Sequence, residues 1–142
     1  MPHITVIKVR GYHCDFYGHV NNARYLELME EARWQYLEVG LGLEYWSGRG
    51  LGFVVAGIDI KYKRPASPGM ELEISTEMTE SEGRTGYIQQ VFTDRQSGKT
   101  VVEARVKFAV IDLKTGRPVN MDGEVAAGFD VIRAASAGGA KE

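Results

Sequence analysis

A chain of 142 residues with 44% hydrophobic and 25% charged side chains has the length and balance of one soluble globular domain with a real core. Its formal net charge of -2 argues against nucleic acid as the main partner, because that role draws on a basic surplus. One cysteine excludes an intrachain disulfide framework, and with no apolar run near ~20 residues and no signal-peptide core the expected location is cytoplasmic, without a membrane span.

Residues 3–10 are rich in β-branched side chains and predict a first strand. Residues 12–22 follow as a loop crowded with titratable and amide groups around Gly18. A long amphipathic helix comes next. Tyr25, Met29, Ala32, Tyr36 and Val39 recur at steps of four and three, which makes one stripe at 3.6 residues per turn. Arg24, Glu27, Glu31, Gln35 and Glu38 fall on the opposite, water-facing side. Asn21 or Asn22 can cap its start, and Gly40 suits the left-handed exit. About seventeen residues at ~1.5 Å each make roughly 25 Å, enough to cross a sheet. Trp34 breaks the pattern, either to cover a subunit contact or to snorkel.

Residues 41–50 hold three glycines and a Trp, which predicts a short irregular link with one helical turn. From Leu51 the pattern is β, and the alternation of Val54, Ala56, Ile58, Ile60 and Tyr62 predicts one apolar face. Residues 65–69 form a turn. Leu72, Ile74, Thr76 and Met78 alternate with Glu71, Glu73, Ser75 and Glu77. Glu82 and Gly83 lead back into Thr85–Asp94, and Ser97 and Gly98 into a long last strand carrying Val102, Ala104, Val106, Phe108 and Val110. Thr115 and Gly116 end it. The expected class is α+β, in the order strand, helix, four strands: an antiparallel five-stranded sheet wrapped around the only helix long enough to cover it. Residues 120–133 are expected to add a weak helix at the edge and close a single domain of residues 1–133, with 134–142 a loose tail.

Asp15 stands a few residues ahead of the long helix. Beside Tyr12, Phe16 and Tyr17, which would partly shield it, it reads as a carboxylate that takes a proton from water or attacks a carbonyl; it also reads as a loop Asp capping a turn. The helix start offers backbone N–H groups without internal acceptors and about half a positive charge, suited to a carbonyl oxygen gaining charge. Gly18 either lets a ligand approach the backbone or only turns the chain. His13, Asp15 and His19 match no common zinc signature, so no metal is expected. Cys14 has no base clearly tied to it. Lys61, Lys63 and Arg64 form a cationic run that reads either as a phosphate site or as a protected edge strand.

These residues resemble a family. Cys14-Asp15, Gly18-His19-Val20-Asn21-Asn22 and Tyr25, followed by Glu30-Glu31-Ala32-Arg33, are similar to the signature of hotdog-fold acyl-CoA thioesterases of the 4-hydroxybenzoyl-CoA thioesterase type. Gly11-Tyr12-His13, Phe53-Val54-Val55, Tyr62 to Ala66 and Ile111 to Thr115 resemble its bacterial long-chain acyl-CoA (thioesterase III) branch. The resemblance covers nearly the whole chain. It implies hydrolysis of medium- to long-chain acyl-CoA to free acid and CoA, with no cofactor beyond the substrate. Asp15 would be the catalytic carboxylate, and the backbone of Gly18, His19 and Val20 would meet the thioester. Asn22, where some relatives have a His, would hold water or the thioester. Tyr25 and Phe53 would line the acyl channel, and Lys61, Lys63 and Arg64 would meet the CoA phosphates. Active sites between subunits are implied, in a homodimer or a dimer of dimers (a homotetramer). The alternatives are a hotdog hydratase or dehydratase, whose His-Phe-Pro pattern is missing, and a non-enzymatic acyl-CoA sensor.

Overall fold

The computed structural model describes residues 2–139. Strand β1 (His3–Lys8) leads through a 3-10 turn at Gly11–His13 into helix α1 (Asn22–Glu38). A single helical turn, α2 (Glu44–Ser47), precedes strands β2 (Leu51–Tyr62), β3 (Glu71–Glu82), β4 (Thr85–Asp94) and β5 (Thr100–Asp112), and helix α3 (Gly123–Gly139) follows. The strands form one sheet in the order β1-β3-β4-β5-β2, with each neighbouring pair antiparallel. The expected α+β class and the five-stranded sheet around α1 are therefore present.

Asn21 takes the cap of α1, its side-chain oxygen accepting from the Ala23 amide at 2.9 Å, and Gly40 lies just past the end with φ +79°. Tyr25, Met29, Ala32 and Tyr36 are buried as one stripe in the same cluster as Leu72, Ile74, Phe92 and Val102 of the sheet. Tyr25 meets Phe92 edge-on at 5.2 Å, and the Tyr36 hydroxyl accepts from the Met78 amide at 3.0 Å beside a bulge in β3. Trp34 is 41% exposed, outside the stripe as its spacing requires.

Strand β2 departs from the expected alternation. Its register against β5 slips between Val55 and Gly57, so Ala56 is one residue too many on the β2 side. Before the bulge Phe53 pairs with Val110 and Val55 with Phe108; beyond it Ile58, Ile60 and Tyr62 pair with Val106, Ala104 and Val102. One inserted residue moves every later side chain to the other face. Val54 and Ala56, expected on the apolar face, are exposed instead.

The C-terminal region also differs from expectation. The helix expected over 120–133 runs from Gly123 through Gly139, so the part of the presumed tail up to 139 is helical, and residues 140–142 lie outside the described residues. With 17 residues it is as long as α1. It shares the covering of the sheet: Phe129 is 1% exposed and packs with Trp46, Phe53 and Phe108 at ring separations of 5.3, 6.2 and 5.8 Å. Gly128 makes room for this, because a Cβ there would stand 2.6 Å from the Trp46 ring.

Candidate active site

Asp15 opens a tight turn. Its carbonyl oxygen accepts from the Gly18 amide at 3.0 Å, and its own amide donates to the His19 carbonyl at 2.9 Å. Oδ1 accepts from the Tyr17 amide at 2.9 Å. Gly18 closes the turn at φ +77°, a conformation that costs other residues strain. Cys14 then pairs with Val20, the Asn21 amide donates to the His13 carbonyl, and the Val20 amide donates to the Ala66 carbonyl, the last two at 2.9 Å. The loop is thereby fastened to the start of α1 and to the turn after β2.

These bonds sort the expected backbone donors. The amides of Gly18 and Val20 are spent on internal acceptors, whereas those of His19 and Asn22 have no acceptor among the described residues. The positive end of α1 lies at Asn22. The shielding expected of Tyr12, Phe16 and Tyr17 does not occur within one chain: they are 72%, 95% and 80% exposed, and Asp15 is exposed with them.

Asp15 nevertheless borders a cleft of about 430 Å³, together with His19, Val20, Asn22, Tyr25, Tyr62, Lys63 and Arg64. The Tyr62 hydroxyl donates to the Asn22 carbonyl at 3.2 Å, joining the end of β2 to the helix start. Burial, reinforced by the nearby Cys14 and Tyr62, pushes the Tyr25 hydroxyl up to about 12, so it remains a neutral phenol. Lys63 forms an exposed ion pair with Glu103 at 3.2 Å, and Arg64 Nη1 donates to the Thr100 carbonyl at 2.7 Å. Lys61 faces the other side of the sheet, near Asp59, Gln89 and Arg105, because β2 alternates. Phe53 is also apart from Asp15: it lines a second cleft of about 300 Å³ with Glu30, Arg33, Trp34, Leu37, Val55, Ile88 and Phe108.

His13 lies below its ordinary pKa, mainly through burial and then through Arg24 and Arg10, and its Nδ1 accepts from the Arg10 amide at 2.8 Å. Among the described residues no three His, Cys, Asp or Glu side chains are grouped as a metal site.

The model for the thioesterase-like superfamily matches residues 9–129 of this sequence. The chain belongs to the thioesterase-like superfamily. With that membership come the hotdog architecture and a thioester hydrolase activity. This thioesterase-like chain is 44% identical over 121 residues to the long-chain acyl-CoA thioesterase FadM of Escherichia coli, covering 85% of this chain and 92% of that one. It superposes on the probable thioesterase YbaW of Escherichia coli with a TM-score of 0.87 at 41% identity, covering 92% and 98% of the two chains. A probable thioesterase from Bartonella henselae follows with a TM-score of 0.69 at 30% identity, covering 85% and 98%.

One polar cluster in this thioesterase-like chain has no counterpart in the expected site. Gln90 is fully buried on β4, with Nε2 donating to the Met29 carbonyl and to Thr76 Oγ1, each at 3.0 Å, and Oε1 accepting from Arg33 Nη1 at 3.1 Å. The sequence carried a signal for it. Gln90 stands between Ile88 and Phe92 at an inward position of a strand, and Arg33 lies one turn after Met29 on the flank of the buried stripe.

Proposed function

We propose that this protein hydrolyses long-chain acyl-CoA thioesters to free acid and CoA. The supporting observation is the cleft at the start of α1, which brings the Asp15 carboxylate, the unspent amides of His19 and Asn22 and the cations Lys63 and Arg64 to one place. Chain length rests on the relative FadM, named a long-chain acyl-CoA thioesterase. Asp15 removes a proton from the attacking water, or itself attacks the thioester carbon to form an anhydride that water then opens. In either route the carbonyl oxygen gains charge and is held by backbone N–H groups at the positive end of the helix. The tetrahedral species collapses with loss of CoA thiolate, which takes up a proton. Lys63 and Arg64 hold the CoA phosphates; the exposed ion pair of Lys63 with Glu103 is weak enough to be exchanged for a phosphate.

Free-thiol release as acyl-CoA is added tests this. Replacing Lys63 and Arg64 together by Ala raises KM about tenfold or more, an effect that shrinks in high salt, whereas Lys61→Ala leaves KM near its original value. Equal effects at all three positions would contradict the phosphate site.

The same reading includes a homodimer or a dimer of dimers. Strand β2 is an edge of the sheet, and Val54 and Val55 are 45% and 42% exposed on it, an apolar edge that a second copy would cover. The aromatic side chains beside Asp15, exposed in one chain, would be shielded by the same partner. Sedimentation equilibrium is expected to return a dimer or tetramer that Val54→Lys with Val55→Lys dissociates. A monomeric wild type would refute this arrangement.

A further inference from the structure

The second cleft holds a charge that the reaction as described does not use. Its walls are the apolar side chains of Trp34, Leu37, Phe53, Val55, Ile88 and Phe108, but Arg33 lines it too. Arg33 is half-buried, and among the described residues no carboxylate lies within 4 Å of its guanidinium. Glu30, which shares the cleft, accepts from Trp34 Nε1 at 3.4 Å instead. One N–H is spent on Gln90 at 3.1 Å, which leaves donors over, since a guanidinium carries five and accepts nothing. Gln90 is itself locked by Met29 and Thr76, so the Arg33 head is held in place rather than mobile. Burial lowers the Arg33 pKa from its ordinary value, which is the mark of a charge lacking water. Glu30 offsets this only in part and lies beyond ion-pair distance, so a cleft meant for plain hydrocarbon would be better lined by Met or Leu at this position.

We propose that Arg33 selects acyl groups that carry, besides the thioester carbonyl, a hydrogen-bond-accepting oxygen on an otherwise apolar chain. This rests on the acyl-CoA hydrolysis proposed above and names a substrate class within it. Arg33 stands eleven residues beyond Asn22 on α1, about 16 Å along the helix and within the span of a long acyl chain. The apolar walls take the part of the chain far from the thioester, and the guanidinium gives one or two N–H bonds to the oxygen of a carboxylate, keto or hydroxyl substituent there. Arg33 acts here in specificity and moves no proton.

Matched pairs of acyl-CoAs of equal length test this, one member plain and the other with a keto, hydroxyl or terminal carboxyl group, each followed by thiol release. The wild type is expected to show a higher kcat/KM for at least one oxygenated member. Arg33→Met is expected to lower the ratio of oxygenated to plain about ten- to a hundredfold, the range of a hydrogen bond to a charged group. Arg33→Lys, which keeps the charge and the stem, retains part of the ratio. A wild type that prefers none of the oxygenated members overturns the proposal without recourse to any variant. So does an Arg33→Met that slows both members of a pair equally, because the guanidinium would then touch only the shared CoA portion or the fold. Absence of thiol release from every member is a different result, which overturns the activity itself.

Discussion

Replacing Asp15 by Asn is expected to lower kcat by about two to four orders of magnitude, the usual range for loss of a positioned base, with little change in KM. The substitution removes the group that takes a proton or attacks carbon, but keeps an oxygen where Oδ1 accepts from the Tyr17 amide. The turn that Asp15 opens, closed by the Gly18 amide and paired to His19, therefore survives, and the melting temperature should match the wild type within about a degree or two. This combination separates the two readings of Asp15. A residue that only capped a turn would lose nothing on becoming Asn, since Asn serves that purpose as well. A substantial rise in KM with kcat unchanged would place Asp15 in binding rather than in chemistry.

Phe129→Ala is expected to cost about 3–5 kcal/mol, the range for removing a buried aromatic ring. Phe129 contacts Trp46, Phe53 and Phe108, and Gly128 beside it allows the Trp46 ring its close approach. Losing the ring uncovers the β2 end of the sheet, and the cavity left behind closes only if α3 moves. Equilibrium denaturation measures the effect directly, against a total stability of about 5–15 kcal/mol for a domain of ordinary size. Since Phe53 lines the second cleft, activity should also fall at temperatures well below unfolding. A cost under about 1 kcal/mol would mean that α3 is peripheral, as residues 120–133 taken alone suggest.

Much of this molecule is legible in its amino-acid sequence. Helix α1 declared itself because its apolar stripe keeps one period over its whole length and is closed by Asn21 and Gly40. The strands after residue 70 alternate cleanly, and their turns are marked by Gly83 and Gly98. The alternation of strand β2 is hidden for a physical reason: the run from Phe53 to Ala56 is apolar on both faces, so nothing in it marks where the bulge reverses the alternation. Helix α3 is only weakly marked, because its alanines and glycines give a faint stripe and its stability comes from the rings it packs against. At the site, Asp15, Asn22, Tyr25, Lys63 and Arg64 do line one cleft. Which amides remain unspent, the outward turn of Lys61 and the separation of Phe53 depend on hydrogen bonds and strand alternation that residue types do not encode. Arg33 was visible only as part of a motif, because its significance lies in what fails to surround it.

The most direct measurement is free-thiol release by the purified protein across plain short-chain, long-chain and aromatic acyl-CoAs. The account predicts saturable release of CoA, greatest with long chains and abolished in the Asp15→Asn variant. A protein that binds acyl-CoA without releasing thiol, or that alters only the acyl chain, would contradict it, as would an Asp15→Asn variant that turns over at the wild-type rate.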